Sequence, residues 1–166
     1  MNKMRLLVSV VVLLLMTGCQ LLEKNQIREE INKYIESMNE VVGRLDLEEQ
    51  KYKSKYVDEE DNDKAFAYIE EEYIPAYKQA IKDIESIQLK EEALIDTQKL
   101  IVQAYNLNIK AVKIDREAYL TGEEELSLQY DEIVTEMEAL YEKHDQSIKE
   151  IGEKNGVDIV FEEEKG

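Results

Sequence analysis

The sequence predicts an all-α protein: an up-down antiparallel helical bundle of three to four long helices, preceded by a cleaved signal helix. Three observations carry this. Gly, Pro and Trp number only 6, 1 and 0 in 166 residues, while Glu, Lys, Ile, Leu and Tyr are abundant, a long-helix composition. Apolar residues recur at steps of three, four or seven from residue 26 onward, the period of a helix with one buried face. The segments with this period are joined by short polar breaks, so neighbouring helices must run antiparallel.

The first predicted bundle helix spans about Gln26 to Tyr56, with Ile27, Ile31, Tyr34, Met38, Val41, Leu45 and Tyr52 on one line and Ile35 and Val42 widening it. The acidic run Asp58 to Asp63 breaks it, because Asp and Asn side chains compete for backbone donors and can cap the next helix. A calcium loop is the sharper reading of this run. It lacks the glycine at the sixth position, and twelve residues from Asp58 stands Ile69, so a solvated turn is preferred.

The second helix, Asp63 to Ile87, places Phe66, Ile69, Tyr73, Tyr77, Ala80, Ile84 and Ile87 on its buried line. Pro75 lies inside it, removes one backbone donor and clashes with the carbonyl of Glu71. The sequence therefore predicts a kink near Glu71 to Ile74, or two abutting helices with Pro75 in the first turn of the second.

The third helix, Glu92 to Leu120, aligns Leu94, Thr97, Ile101, Ala104, Asn108, Ala111 and Ala118, with Leu100, Leu107 and Ile114 beside them. Thr121-Gly122 ends it, glycine supplying the left-handed conformation. The fourth, Glu123 to Lys154, aligns Leu126, Tyr130, Ile133, Met137, Leu140, His144, Ser147 and Ile151. Asn155-Gly156 is its predicted stop, Val157 making the hydrophobic contact of the cap and Val157 to Phe161 packing back as an extended tail. The bundle domain is thus 26–161, and 162–166 is a frayed acidic tail.

The N-terminus has a different grammar. Lys3 and Arg5 precede an apolar run, Leu6 to Met16, followed by the small residues Thr17 and Gly18: the three regions of an export signal. The run is shorter than the ~20 residues that span a hydrocarbon core. At its end, Leu15-Met16-Thr17-Gly18-Cys19 resembles the lipobox of bacterial lipoproteins, with Met16 where leucine is usual. The resemblance implies that residues 1–18 are the signal peptide and that Cys19 carries a thioether-linked diacylglycerol. Residues 19–25 are then a lipidated N-terminus and short tether, and the protein sits outside the cytoplasm, lipid-anchored to the cell membrane. Cys19 is the one cysteine, so no internal disulfide is available and stability must come from packing.

Losing Lys3 and Arg5 with the signal takes two positive charges from the formal −17, leaving −19. Such a field repels nucleic acid, anionic head groups and wall teichoic acids. The carboxylates are spread among lysines rather than clustered, as a solvated surface requires.

Candidate chemistry is sparse. His144 is the one histidine, and the residue three before it is Tyr141, so the paired Glu-x-x-His of di-iron bundles is missing. No nucleophile with its base is apparent, and no enzyme, metal or cofactor is predicted. Ten tyrosines could line a glycan or aromatic-ligand groove, though Tyr at the edge of a stripe more often packs its ring and keeps its hydroxyl wet. Asn108 and Asp115 are polar near a core line, where most such residues set register or face out. A small-ligand or cation site would use a cavity between helices near Tyr73, Pro75, Asn108 and His144.

Three runs, EYIPAYKQAIKDIESIQ, LIVQAYNLNIKAVKIDREAYLTGEEE and YEKHDQSIKEIGEKNGVDI, lie between residues 72 and 159. In helical patterning they resemble small helical lipoproteins of low-GC Gram-positive bacteria, including those of the cell-wall-binding type. The resemblance covers about half the chain and implies no reaction. The leading expectation is a non-enzymatic structural or protein-binding module of the cell envelope, with an envelope protein or the cell wall as partner. Because the first helix begins almost at the lipid, the turns at Asp58 to Asp63 and Gly122 to Glu125 should form the end remote from the membrane, where a partner is first expected.

Overall fold

In the computed structural model the backbone is described for residues 2–56 and 62–161, and side chains for 24–51 and 64–161. The elements are α1 (Asn2–Tyr56), α2 (Asn62–Tyr68), a π-helical segment (Ile69–Tyr73), α3 (Ile74–Ser86), α4 (Glu92–Thr121) and α5 (Glu124–Asn155). Most of the Asp58 to Asp63 run, the tail 162–166 and the side chain of Cys19 lie outside the described residues.

Cross-helix contacts establish an up-down-up-down bundle. Arg44 pairs with Asp83, while Glu30, earlier in α1, meets the backbone ahead of α4 at Lys90 and Glu91. Tyr73 meets Asn108 and Gln98 meets Ile84, so α3 and α4 are antiparallel. Thr97 meets Ser147, and Tyr34 meets His144, closing the ring through α5. At ~1.5 Å per residue, the 30 residues of α4 make a rod of ~45 Å.

One buried cluster joins all four rods: Ile31, Tyr34, Met38, Val41 and Leu45 of α1; Ala80 and Ile84 of α3 with Ile87 just beyond it; Leu94, Ile101 and Tyr105 of α4; Ile148 and Ile151 of α5. A smaller one, Ala111, Ile114 and Ile133, seals the α4–α5 hairpin toward its tip.

The helix ends are closed largely by side chains of other helices, since the first and last turns leave backbone groups unpaired. The Glu30 carboxylate accepts from the amides of Lys90 and Glu91 (2.9 Å for the latter). Gln98 donates to the carbonyls of Ile84 (2.5 Å) and Ile87 (3.2 Å) at the end of α3. Arg28 donates to the carbonyl of Asn155 (2.5 Å) at the end of α5. Gly122 and Gly156 both have φ of 70°. Gly122 donates to Ala118, while after α5 the amides of Gly156 and Val157 reach back to Glu153 and Gly152 in a Schellman cap.

Several expectations are corrected. The first helix does not start near Gln26. It is continuous from Asn2, through the segment 19–25 expected to be a tether, because Gln20, Leu21, Leu22, Glu23 and Lys24 are good helix formers and no proline interrupts them. At Pro75 the second alternative holds, two helices with Pro75 in the first turn of the second, but a π turn joins them. The chain takes an i→i+5 bond from the Ile74 amide to the Ile69 carbonyl, and Pro75 then occupies the first turn of α3, where its missing N–H is harmless.

The extra residue in the π turn shifts the buried line upstream by one position. Ala65 and Tyr68 are buried where Phe66 and Ile69 were expected. Val42, expected to widen the α1 stripe, is 40% exposed. Tyr105, Ile109 and Ile148 are buried and lie off the predicted lines. Since α4 packs on both α3 and α5, it must bury a wider arc than one stripe.

The tail does fold back, with Val157 and Ile159 packed against the main cluster. It lies so close to Gly152 that a Cβ there would stand 2.6 Å from Ile159 Cδ1 and 2.8 Å from the Val157 carbonyl oxygen. Gly152→Ala is therefore expected to destabilise by about 1–2 kcal/mol, overpacking outweighing the better helix propensity of alanine. Gly43→Ala, whose Cβ meets nothing within 4 Å, should stabilise by about 0.5–1 kcal/mol. Urea unfolding of both variants checks the pair, and equal shifts would show that the tail does not press on α5.

Candidate functional site

The three residues of the predicted ligand site fall in two separate polar clusters. His144 is 7% exposed on α5 and faces Tyr34 of α1, which is 1% exposed. Its Nδ1 lies 2.9 Å from an Asp145 carboxylate oxygen, and its Nε2 lies 3.0 Å from the Tyr34 hydroxyl. A carboxylate only accepts, so the imidazole donates from Nδ1 and, when neutral, receives the Tyr34 proton at Nε2. A turn further along α5, the Ser147 and Thr97 hydroxyls meet at 2.5 Å, and Thr97 also donates to the Ala93 carbonyl. Burial, first, and then the charges of Tyr105 and Asp145 hold the Tyr34 phenol far above its ordinary value of 10.0. Every polar atom of this cluster has a protein partner, so it is built to hold α1, α4 and α5 in register.

Tyr73 and Asn108 belong to the second cluster and do meet. The Tyr73 hydroxyl donates to Asn108 Oδ1 at 3.1 Å. From there a ladder of rings crosses the bundle. Tyr73 and Tyr77 have centroids 4.8 Å apart, Tyr77 and Tyr105 5.3 Å, and Tyr105 and Tyr141 6.2 Å. The last two contacts are edge-on, the arrangement the ring quadrupole favours. Desolvation is the leading cause that raises all four phenols, Tyr105 to about 12. Coulombic influence follows, from Asp46 on Tyr105 and from Tyr105, Tyr73 and Glu49 on Tyr141.

A third feature is a groove of about 230 Å³ between α1 and α3, with Val41, Leu45, Leu47, Ala76 and Ala80 below and Arg44, Glu48, Lys51 and Gln79 at the rim. Its charged rim is largely engaged: Arg44 pairs with Asp83 and Lys51 with Glu48. Pro75 is exposed and lines none of these features, and Asp115 faces solvent.

Among the described residues, no three His, Cys, Asp or Glu side chains converge as metal ligands. Nor is any helix among them long and apolar enough to cross a membrane. Sequence reasoning reached Tyr73 and Asn108 but did not place Tyr77, Tyr105 and Tyr141 together. The available signal was weak: Tyr77, Tyr105 and Tyr141 stand on three different helices, and only the pairing of those helices brings their rings into one row. No family model, no curated protein and no solved structure matches this chain.

Proposed function

We propose that the chain is an extracytoplasmic bacterial lipoprotein, held at the membrane by diacylglycerol on Cys19. In this reading its bundle serves as a non-enzymatic structural or protein-binding module of the cell envelope. The observation that carries the reading is the order Lys3, Arg5, an apolar run to Met16, Thr17-Gly18 and the single Cys19. Two acyl chains anchor stably where one is marginal.

Two features of the bundle support a role without chemistry. The polar groups of His144, Tyr34, Thr97 and Ser147 are engaged with each other, and the four-rod architecture makes a stiff spacer. Anchored through Cys19, the rods carry the Gly122 turn away from the bilayer, and that end is the place for a partner to dock.

Replacing Cys19 by Ser is expected to move the protein from the membrane fraction to the uncleaved or soluble pool, with the diacylglyceryl mass lost from the mature N-terminus. A wild-type chain whose mass spectrum shows an unmodified Cys19, or Met1 still present, would refute the anchor. Affinity capture from detergent extracts should recover an envelope protein. A chain that enriches nothing argues for the spacer over the binding module.

A further inference from the structure

The chain contains a single Asn-Gly step, Asn155-Gly156, and it stands at the C-terminal cap of α5. In such a step the Gly156 amide nitrogen can attack the side-chain carbonyl carbon of Asn155, since glycine places no Cβ in the way. An N–Cγ bond forms, the Cγ–Nδ2 bond breaks and ammonia leaves, giving a succinimide. Water then opens the ring at one carbonyl or the other, leaving aspartate or isoaspartate.

The folded cap blocks this reaction at every point it needs. Asn155 is 9% exposed, and its Nδ2 donates to the Ile151 carbonyl at 2.8 Å, which holds the side chain back along the helix. Its backbone is helical, and ring closure requires ψ to leave the helical range near about −42°. The Gly156 amide donates to the Glu153 carbonyl at 3.2 Å, so it keeps the proton that the attacking nitrogen must lose. Arg28 covers the step from α1. It donates from Nε to the Asn155 carbonyl at 2.5 Å, with Nη2 2.7 Å from where a Cβ on Gly156 would stand.

That block is only as firm as the tail behind it. The Val157 amide closes the cap on the Gly152 carbonyl at 2.9 Å. Beyond it, among the described residues, no hydrogen bond holds Asp158 to Phe161. The tail is docked through the side chains of Val157 and Ile159, and Val160 is 80% exposed. A segment with so few contacts opens at a fraction of the free energy of global unfolding.

We propose that Asn155 is a deamidation site gated by the C-terminal tail: closed while Val157 and Ile159 are docked and Arg28 is seated, and reactive when the tail lifts. The product cannot close the cap again. A carboxylate at this position has no N–H to give the Ile151 carbonyl, and it adds negative charge where the helix dipole is already negative. Isoaspartate also routes the main chain through an extra methylene, which moves the Val157 amide off the Gly152 carbonyl. Release of the tail then becomes one-way, at the end of the bundle where Arg28 ties α1 to α5. The inference is independent of the lipid anchor and of any protein partner.

The test incubates the full chain in detergent micelles at slightly alkaline pH. Deamidation is read by mass spectrometry of the peptide containing Asn155, with the aspartate and isoaspartate products separated by chromatography. The folded wild type is expected to react at least about tenfold more slowly than the same chain unfolded in urea. Ile159→Ser and Arg28→Ala, with helical circular dichroism unchanged, should each react about threefold or more faster than wild type. Ile133→Val lowers global stability in the smaller cluster, far along α5 from the cap, and should leave the rate unchanged. A wild type that reacts as fast as the unfolded chain, tail and Arg28 variants no faster than wild type, or an Ile133→Val protein accelerated as much as Ile159→Ser would each overturn the proposal.

Discussion

Raising the pH from 10 to 12 is expected to unfold this bundle cooperatively, with loss of helical circular dichroism coinciding with the rise of tyrosinate absorbance near 295 nm. The cause is that burial holds the phenols of Tyr34, Tyr73, Tyr77, Tyr105 and Tyr141 above the value of 10.0 that they have when unfolded. The sign follows from proton binding. Below pH 10 both folded and unfolded chains keep these protons, and stability does not depend on them. Between pH 10 and the folded values, the unfolded chain releases protons that the folded one retains, so stability falls as pH rises. Tyr105 sets a window of about two units, up to about 12.

Each such tyrosine contributes about 1.4 kcal/mol per pH unit once the unfolded phenol has titrated. A single tyrosine would produce a gentle slope. Tyr34, Tyr77, Tyr105 and Tyr141 acting together remove about 11 kcal/mol across that window, comparable to the ~5–15 kcal/mol typical of a domain. If all the tyrosines titrate near pH 10 while the helices persist, the ladder is not buried as described.

How far the sequence reaches is visible at particular residues. The ends of α4 and α5 were legible because Gly122 and Gly156 do what few other residues can, adopting φ of 70° where helices stop. The buried line of α1 was legible from Ile31 to Leu45 because one periodic face is the whole signal there. Pro75 announced an irregularity but not its form. A kink, a break and a π turn all accommodate a missing donor, and the one-residue shift that buries Tyr68 follows only from the last. The tyrosine row was the least legible part. It depends on how α3, α4 and α5 pair, a matter of bundle handedness and register that no single stripe records.

Tyr34 is where truncation should cost most among the polar-layer residues. It is 1% exposed, sits in the main cluster beside Ile31, and supplies the hydroxyl for His144. Tyr34→Ala removes a buried ring and is expected to cost about 3–5 kcal/mol, the range for aromatic-to-alanine changes in a core that collapses only in part. Tyr34→Phe keeps the ring and separates the polar contribution. It leaves His144 Nε2 facing apolar surroundings without its donor, at about 1–3 kcal/mol. His144→Leu leaves the Tyr34 hydroxyl stranded in the same way. The double variant, Tyr34→Phe with His144→Leu, removes both partners and so strands neither. Its loss should therefore fall short of the sum of the single losses by about 1 kcal/mol or more. Urea unfolding at neutral pH measures all four. Strict additivity would mean that the 3.0 Å contact contributes nothing to holding α1 against α5, and that the layer is packing alone.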